Sequence, residues 1–326
     1  MNTSVVRFRS LDNDILSDDY LQFFLMSRIF YDQLYAQHTG AVIKNVGPAH
    51  IVRTRVMIPP LHEQQAIASI LSSIQEAKEK TDAVIQSARE LKKSLMKHLF
   101  TYGPVPLDEA ENVPLKETEI GMIPEEWDIK PASEVFVRVA DGTHDTPKKL
   151  EYGIPLVTSK LISDGRIMLN QADYFISEND HRTVSIRSGV DYWDILYTMI
   201  GTIGNVAVVR PEYPEFSIKN VGLFKAGGDR LLAEYIAYWL QSNGAIKFAT
   251  NRASGTTQRY IPLGFLRNYP LPIPRTPIQR QIADILSAVD RKIEAEENKS
   301  KALGELFRTM LHNLMTGKIR VRNMEI

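Results

Sequence analysis

Cationic, hydroxyl and amide side chains gather in four short, turn-prone stretches of this sequence. They are Thr143, His144, Lys148 and Lys149; Ser159 and Lys160; Lys219 and Asn220; and Arg252, Ser254, Thr256, Thr257, Gln258 and Arg259 around Gly255. Lysine and hydroxyl groups hold phosphate oxygens, while the forked donors of arginine and the amide of glutamine match the paired edges of guanine and adenine. Gly255 permits close backbone approach to a ligand. Each stretch also has a plainer use. Arg252 to Arg259 can be a solvated loop capping the helix before it. Asp141-Gly142 and Asp145-Thr146-Pro147 are turn chemistry, which would engage Thr143 and His144 in stabilising their own loop. Gly201-x-x-Gly204 reads as a tight turn between strands before it reads as a phosphate cradle.

Bond-making chemistry has no comparable signal. There is no Asn/Asp-Pro-Pro-Tyr/Phe and no Gly-rich cofactor loop, and Thr316-Gly317-Lys318-Ile319 lacks both the preceding glycine and the following Ser/Thr of a phosphate-binding lysine loop. The seven histidines have no metal-ligand spacing. Pairs such as Asp290 and Glu294, four apart on a helix, read as solvated face.

The elements that position these loops come from a duplication. At an offset of 215 residues Tyr20 matches Tyr235, Ser27 matches Ser242, Gly40 matches Gly255 and Ile58-Pro59 matches Ile273-Pro274. Gln64 then matches Gln279, Ile67-Ala68-x-Ile70-Leu71-Ser72 matches Ile282-Ala283-x-Ile285-Leu286-Ser287, and the register holds to Leu99 and Leu314. In each copy an aromatic-faced helix (Ser17 to Gln37; Ala233 to Thr250) precedes a loop. A strand-like stretch (Val56-Met57-Ile58-Pro59; Leu271-Pro272-Ile273-Pro274) and a long helix follow. Ile67, Ile70, Ile74, Ala77, Thr81, Val84, Ala88, Leu91 and Leu95 alternate by three and four residues, a heptad seam that needs a partner helix. Ile282, Ile285, Val289, Leu303, Leu306 and Met310 form the matching face, so the spacing predicts two antiparallel helices, about Leu61–Phe100 and Pro277–Met315. Between them, short β-type runs and Gly-centred turns predict an α+β domain.

Composition sets outer bounds. The 326 residues suffice for two cored domains. Lys+Arg and Asp+Glu both number 39, so any nucleic-acid role must come from a local basic surface. The absence of cysteine excludes disulfides and thiolate zinc sites and suits a cytoplasmic protein. The apolar runs are too short to span a bilayer, and Met1-Asn2-Thr3-Ser4 is no signal peptide.

Several motifs, in order, resemble the specificity (S) subunit of Type I restriction–modification systems. They are Gly121-Met122-Ile123-Pro124-Glu125-Glu126-Trp127, Asp141-Gly142-Thr143-His144-Asp145-Thr146-Pro147, and Gly153-Ile154-Pro155-Leu156-Val157 with Ser159. Trp193-Asp194-Ile195-Leu196 follows, where that family usually has Gly-Asp-Ile-Leu, and then Gly201-Thr202-Ile203-Gly204. The helix starts Pro59-Pro60-Leu61-His62-Glu63-Gln64 and Pro274-x-x-Pro277-Ile278-Gln279 complete the set. The resemblance implies target-recognition domains with a twisted mixed sheet, joined by the two helices. It divides the chain into a partial first recognition domain (1–58), a first conserved helix (59–103), a linker (104–120), a complete second domain (121–275) and a second helix with tail (276–326). It also implies sequence-specific binding of double-stranded DNA by a non-catalytic subunit. Modification (methyltransferase) subunits would dock on the helices, with Ile67, Ile70, Ile74, Val84, Leu91, Ile282, Ile285, Val289, Leu303 and Leu306 as candidate interface. A restriction (translocase/nuclease) subunit would complete the complex. S-adenosylmethionine, ATP and Mg would then belong to partner subunits, with no cofactor or metal in this chain. The contrasting expectation is a remnant that assembles but does not read DNA. The partial first copy predicts an uncovered aromatic helix (Tyr20, Phe23, Phe24), to be covered by self-association or by a separately encoded front half.

Overall fold

Two stretches of chain 215 residues apart share a pattern of paired helices followed by a long helix in the computed structural model, which describes residues 7–36, 51–255 and 259–321. The chain divides into two units. One comprises Met1–Ala88 with Lys292–Ile326, and the other Arg89–Arg291. The helices are α1 (Asp18–Met26), α2 (Arg28–Tyr35), α3 (Leu61–Tyr102), α4 (Ala132–Val135), α5 (Glu178–Ser188), α6 (Arg230–Leu240), α7 (Asn243–Arg252), α8 (Leu263–Arg267) and α9 (Thr276–Met315).

In the first unit Ser27 separates α1 from α2. Its Oγ accepts from Phe30 N at 3.4 Å and donates to Phe24 O at 2.6 Å, so one hydroxyl ends one helix and starts the next. The core is Tyr20, Phe23, Phe24, Phe30 and Leu34, packed on Ala66, Ile67 and Leu71 of α3 and on Leu311, Leu314 and Met315 of α9. This corrects the expectation of an uncovered aromatic face. Tyr20, Phe23 and Phe24 are 2%, 3% and 5% exposed, because the ends of both long helices cover the face that a sheet was expected to cover. Val56 to Pro59 is also not a strand. Its equivalent in the second unit pairs with Asp128–Pro131. Met57 and Ile58 are half exposed.

The long helices run antiparallel. In the first unit Ser300 Oγ donates to Asp82 Oδ1 at 2.5 Å. In the second, Lys92 Nζ lies 2.7 Å from Asp290 Oδ1, so numbers rising on α3 meet numbers falling on α9. The seam departs from the predicted one in its second half. Ile67, Ile74, Thr81, Ala88 and Leu95 keep their places and Ile70 packs beside Leu71 on the first unit's core, but Val84 and Leu91 turn outward where Ile85 and Lys92 are half-buried. Val84 and Leu91 are exposed, as are Ile285 and Leu306 on α9. Two lysines inside the seam hid it. Each lays its methylene stem along the seam while its ammonium meets a carboxylate, Lys78 that of Asp82 at 2.6 Å and Lys92 that of Asp290.

The second unit contains all the described strands: β1 (Leu115–Thr118), β2 (Gly121–Pro124), β3 (Asp128–Pro131), β4 (Arg138–Asp141), β5 (Ile154–Val157), β6 (Ile162–Ser163), β7 (Arg166–Ile167), β8 (Phe175–Ile176), β9 (Ile195–Thr198), β10 (Val206–Val208), β11 (Ser217–Ile218), β12 (Val221–Lys225) and β13 (Pro270–Ile273). Its central antiparallel sheet has the order β10-β9-β12-β4, flanked by a mixed sheet β11-β5-β8 and smaller pairs. Strand β9 is buried throughout, as expected for an interior strand covered on both faces. Tyr197, Phe224, Tyr235, Trp239 and Tyr269 fill the core, sealed by Met96, Leu99 and Phe100 from the end of α3. Phe100 packs edge-on against Trp239 at 5.3 Å.

The duplication persists in hydrogen bonds. Tyr20 Oη donates to Met57 O at 3.0 Å, and Tyr235 Oη to Pro272 O at 3.0 Å. Gln64 Nε2 donates to Pro59 O at 2.9 Å, and Gln279 Nε2 to Pro274 O at 2.8 Å. Both pairs of contacts sit at the sequence offset of 215.

Candidate nucleic-acid interface

Strand register decides which loops meet. Asp141 at the end of β4 pairs with Gly222, Thr198 at the end of β9 pairs with Val221, and Val206 at the start of β10 pairs with Tyr197. Residues 142–149, 199–205 and 219–220 therefore leave the central sheet from one end. The flanking sheet delivers a fourth loop there, since Lys219 N donates to Val157 O at 2.9 Å and Ser159-Lys160 begins two residues later. Bridging of Ile200 with Tyr260, and of Ser254 with Tyr260, adds Ser254 and Tyr260.

Within this group Thr143, His144, Lys219 and Asn220 are in direct contact. Thr143 N donates to Ile218 O at 3.0 Å and Asn220 N to Thr143 O at 3.2 Å. His144 Nδ1 lies 2.9 Å from Asn220 Oδ1, and its Nε2 lies 3.0 Å from Asp141 Oδ2. Asn220 holds a left-handed backbone with φ of 54°, which short amide side chains tolerate. Lys219 Nζ bonds the Thr146 hydroxyl. Thr143 Oγ1 accepts from Asp145 N at 3.1 Å, so this hydroxyl does the turn-forming work that the sequence allowed for it. Gly142 sits where a Cβ would lie 2.5 Å from Ile218 O, so only glycine lets the two chains approach this closely.

Lys148, Lys149 and Lys160 project to solvent, as phosphate contacts require. Lys149 Nζ also lies 5.6 Å from the Tyr174 ring centre, and Tyr174 Oη donates to Pro147 O at 2.5 Å. The fourth stretch divides. Arg252 stacks at 3.8 Å on Phe248 and reaches Glu119 at 3.6 Å, a packing role at the end of α7 apart from the contacting group. Arg259 bonds the Thr250 carbonyl. Thr256, Thr257 and Gln258 lie outside the described residues. Gly201 to Gly204 form the tight turn between β9 and β10, with Thr198 Oγ1 donating to Thr202 O and accepting from Asn205 N.

Sequence reasoning missed Asp141 and Arg187 as parts of this site. Arg187 Nη2 donates to Asp141 Oδ1 at 2.6 Å, and the carboxylate is 5% exposed. Asp141 was visible only as half of a turn dipeptide, and nothing in α5 marked Arg187. Among the described residues no three His, Cys, Asp or Glu side chains are grouped to hold a metal ion, and no helix is long and apolar enough to cross a membrane.

This architecture is found in known proteins. Residues 1–87 and 124–305 match the family of the Type I restriction modification DNA specificity domain. The chain is 26% identical over 316 residues to the Type I restriction enzyme MjaVIII specificity subunit of Methanocaldococcus jannaschii, spanning 96% of this chain and 72% of that one. It is 21% identical to the EcoBI specificity subunit of Escherichia coli, over 89% of this chain and 64% of that protein. The crystal structure of the S subunit from M. genitalium shares the fold with a TM-score of 0.60 at 17% identity, over 96% of this chain and 75% of that one. With its duplicated helices, its sheet-end loops and a family match over most of its length, the chain belongs to the Type I restriction–modification specificity subunits.

Proposed function

We propose that this chain reads one half of a bipartite double-stranded DNA site with the loops at the end of the central sheet, and that its paired helices carry methyltransferase subunits to that site. The convergence of residues 142–149, 159–160, 199–205 and 219–220 on one sheet end supports the reading, because a base-reading surface needs several donors within one groove width. Val84 and Leu306 in the first unit, and Leu91 and Ile285 in the second, leave apolar side chains on the outward sides of the helices, which suits subunit docking. Bond-making, with its S-adenosylmethionine, ATP and Mg, falls to the methyltransferase and the translocase/nuclease subunits.

The test is selection of bound sequences from a random duplex library, followed by methylation mapping after co-expression with a Type I modification subunit. Lys148→Ala with Lys149→Ala should weaken all sequences about equally and shallow the salt dependence. Asn220→Ala or His144→Ala should instead cost roughly 1–3 kcal/mol of discrimination at one position. Failure of the full chain to enrich any sequence, alone or with the modification subunit, would overturn the reading.

A further inference from the structure

Where the Pro-rich segment after α3 passes the start of the recognition domain, the second unit has an open groove of about 890 Å³. Val105, Val113, Trp127 and Ile278 supply apolar lining, and Glu109, Glu125 and Glu126 supply carboxylates. No lysine, arginine or histidine lines it. None of the three glutamate side chains has a hydrogen-bond or ion-pair partner among the described residues. Asp108 and Glu111 flank the same wall in sequence, so the carboxylates there outnumber the Lys116 ammonium that meets Glu125 O.

The walls are held in place. The His98 ring Nε2 meets Val105 O at 2.8 Å, Glu125 N donates to Pro114 O at 2.9 Å, and Lys116 Nζ donates to Glu125 O at 2.8 Å. Pro104, Pro114 and Pro124 stiffen the backbone between those bonds. A groove fixed in this way costs a ligand little ordering entropy in its host.

We propose that this groove docks a basic, apolar peptide segment of a partner protein. Apolar lining accepts Leu- or Val-type side chains, and three unpaired carboxylates select lysine or arginine beside them. The same carboxylates repel phosphate, so the groove is not an extension of the DNA surface, and none of its lining residues belongs to the sheet-end loops. The inference stands independently of the DNA reading.

The test uses the full chain and three fluorescent synthetic peptides. The first alternates leucine and lysine, the second replaces lysine with glutamate, and the third replaces leucine with serine but keeps the lysines. The leucine–lysine peptide should bind saturably, and the other two at least about tenfold more weakly. Glu109→Gln/Glu125→Gln/Glu126→Gln, which keeps side-chain shape, should lose about tenfold for the first peptide, and Val105→Asp should lose comparable affinity. The triple lysine exchange at the same glutamates should transfer preference to the glutamate peptide. The proposal is overturned by absence of saturable binding, by equal binding of the lysine–serine peptide, or by triple-Gln affinity equal to wild type.

Discussion

Arg187 and Asp141 are 46 residues apart in sequence, yet the guanidinium donates to the buried carboxylate at 2.6 Å, while His144 closes on the other oxygen at 3.0 Å. The carboxylate is 5% exposed and the guanidinium side chain 52%, so the pair fixes the origin of the loop from solvent inward. Arg187→Met should therefore destabilise the chain by about 1–3 kcal/mol, the cost of leaving a buried acceptor underpaired. It should also weaken specific DNA binding without touching DNA. A urea titration checks the first point, and a variant within about 0.5 kcal/mol of wild type would deny the pair its structural role.

The revised helix seam makes a sharp contrast between neighbours. Leu71 is fully buried and Leu91 is 53% exposed, although both carry the same side chain on the same helix. Leu71→Ala should cost about 2–5 kcal/mol, and Leu91→Ala less than about 0.5 kcal/mol. Ile74→Asp, in a position common to both seams, should disrupt the fold outright. Thermal melts of the three variants decide between the two registers.

Acid should loosen the first unit through Glu63. Hydrogen bonds from the Arg320 guanidinium, at 2.7 Å to each oxygen, hold this carboxyl below its usual range against the opposing effect of burial. A carboxyl whose folded value lies below its unfolded value of about 4.3 adds stability that is complete above that pH and disappears as pH falls through the lowered value. Glu63→Gln should lower stability at neutral pH and flatten its decline below about pH 4. Denaturation midpoints at neutral and acid pH measure both effects, and equal slopes in wild type and variant would refute the assignment.

Because the duplicated tyrosines make the same bond, they should pay out the same loss when cut back. Tyr20→Phe and Tyr235→Phe each remove one hydroxyl from a carbonyl at 3.0 Å and should each cost about 1 kcal/mol. Burial raises the pKa of both phenols, so neither bond is lost by ionisation at physiological pH. Calorimetry on the single and double variants tests whether the losses add.

Much of this fold was legible from spacing. The helices α3 and α9 end within a residue or two of their predicted limits, because three- and four-residue periodicity over forty residues leaves little choice. The equivalence of Tyr20 with Tyr235, and of Gln64 with Gln279, was legible because duplication preserved side chains that bond backbone. Three features were hidden for physical reasons. Lys78 and Lys92 occupy seam positions through their stems, which a hydrophobicity pattern scores as breaks. The stretch at Val56–Ile58 has the residues of a strand but pairs with no strand among the described residues, and a strand exists only as half of a ladder. Asp141 with Arg187 is a contact between distant elements, and the loop sequence records only its local turn. Of the candidate DNA-binding residues, Thr143, His144, Lys219 and Asn220, which lie in two separate stretches of the sequence, come into contact, whereas Arg252 is drawn to Phe248 and Glu119 by packing.

The tight crossing at Gly142 has a consequence for engineering new target preference. Any side chain there would meet the carbonyl of Ile218 at 2.5 Å and the amide nitrogen of Lys219 at 2.9 Å, both backbone atoms that cannot swing aside. A randomised library spanning this region would lose nearly every clone altered at Gly142, while tolerating diversity at the outward Lys148 and Lys149. The crossing thus acts as a fixed pivot about which sequence variation can be explored, and a designer should hold that glycine constant and spend diversity beyond it.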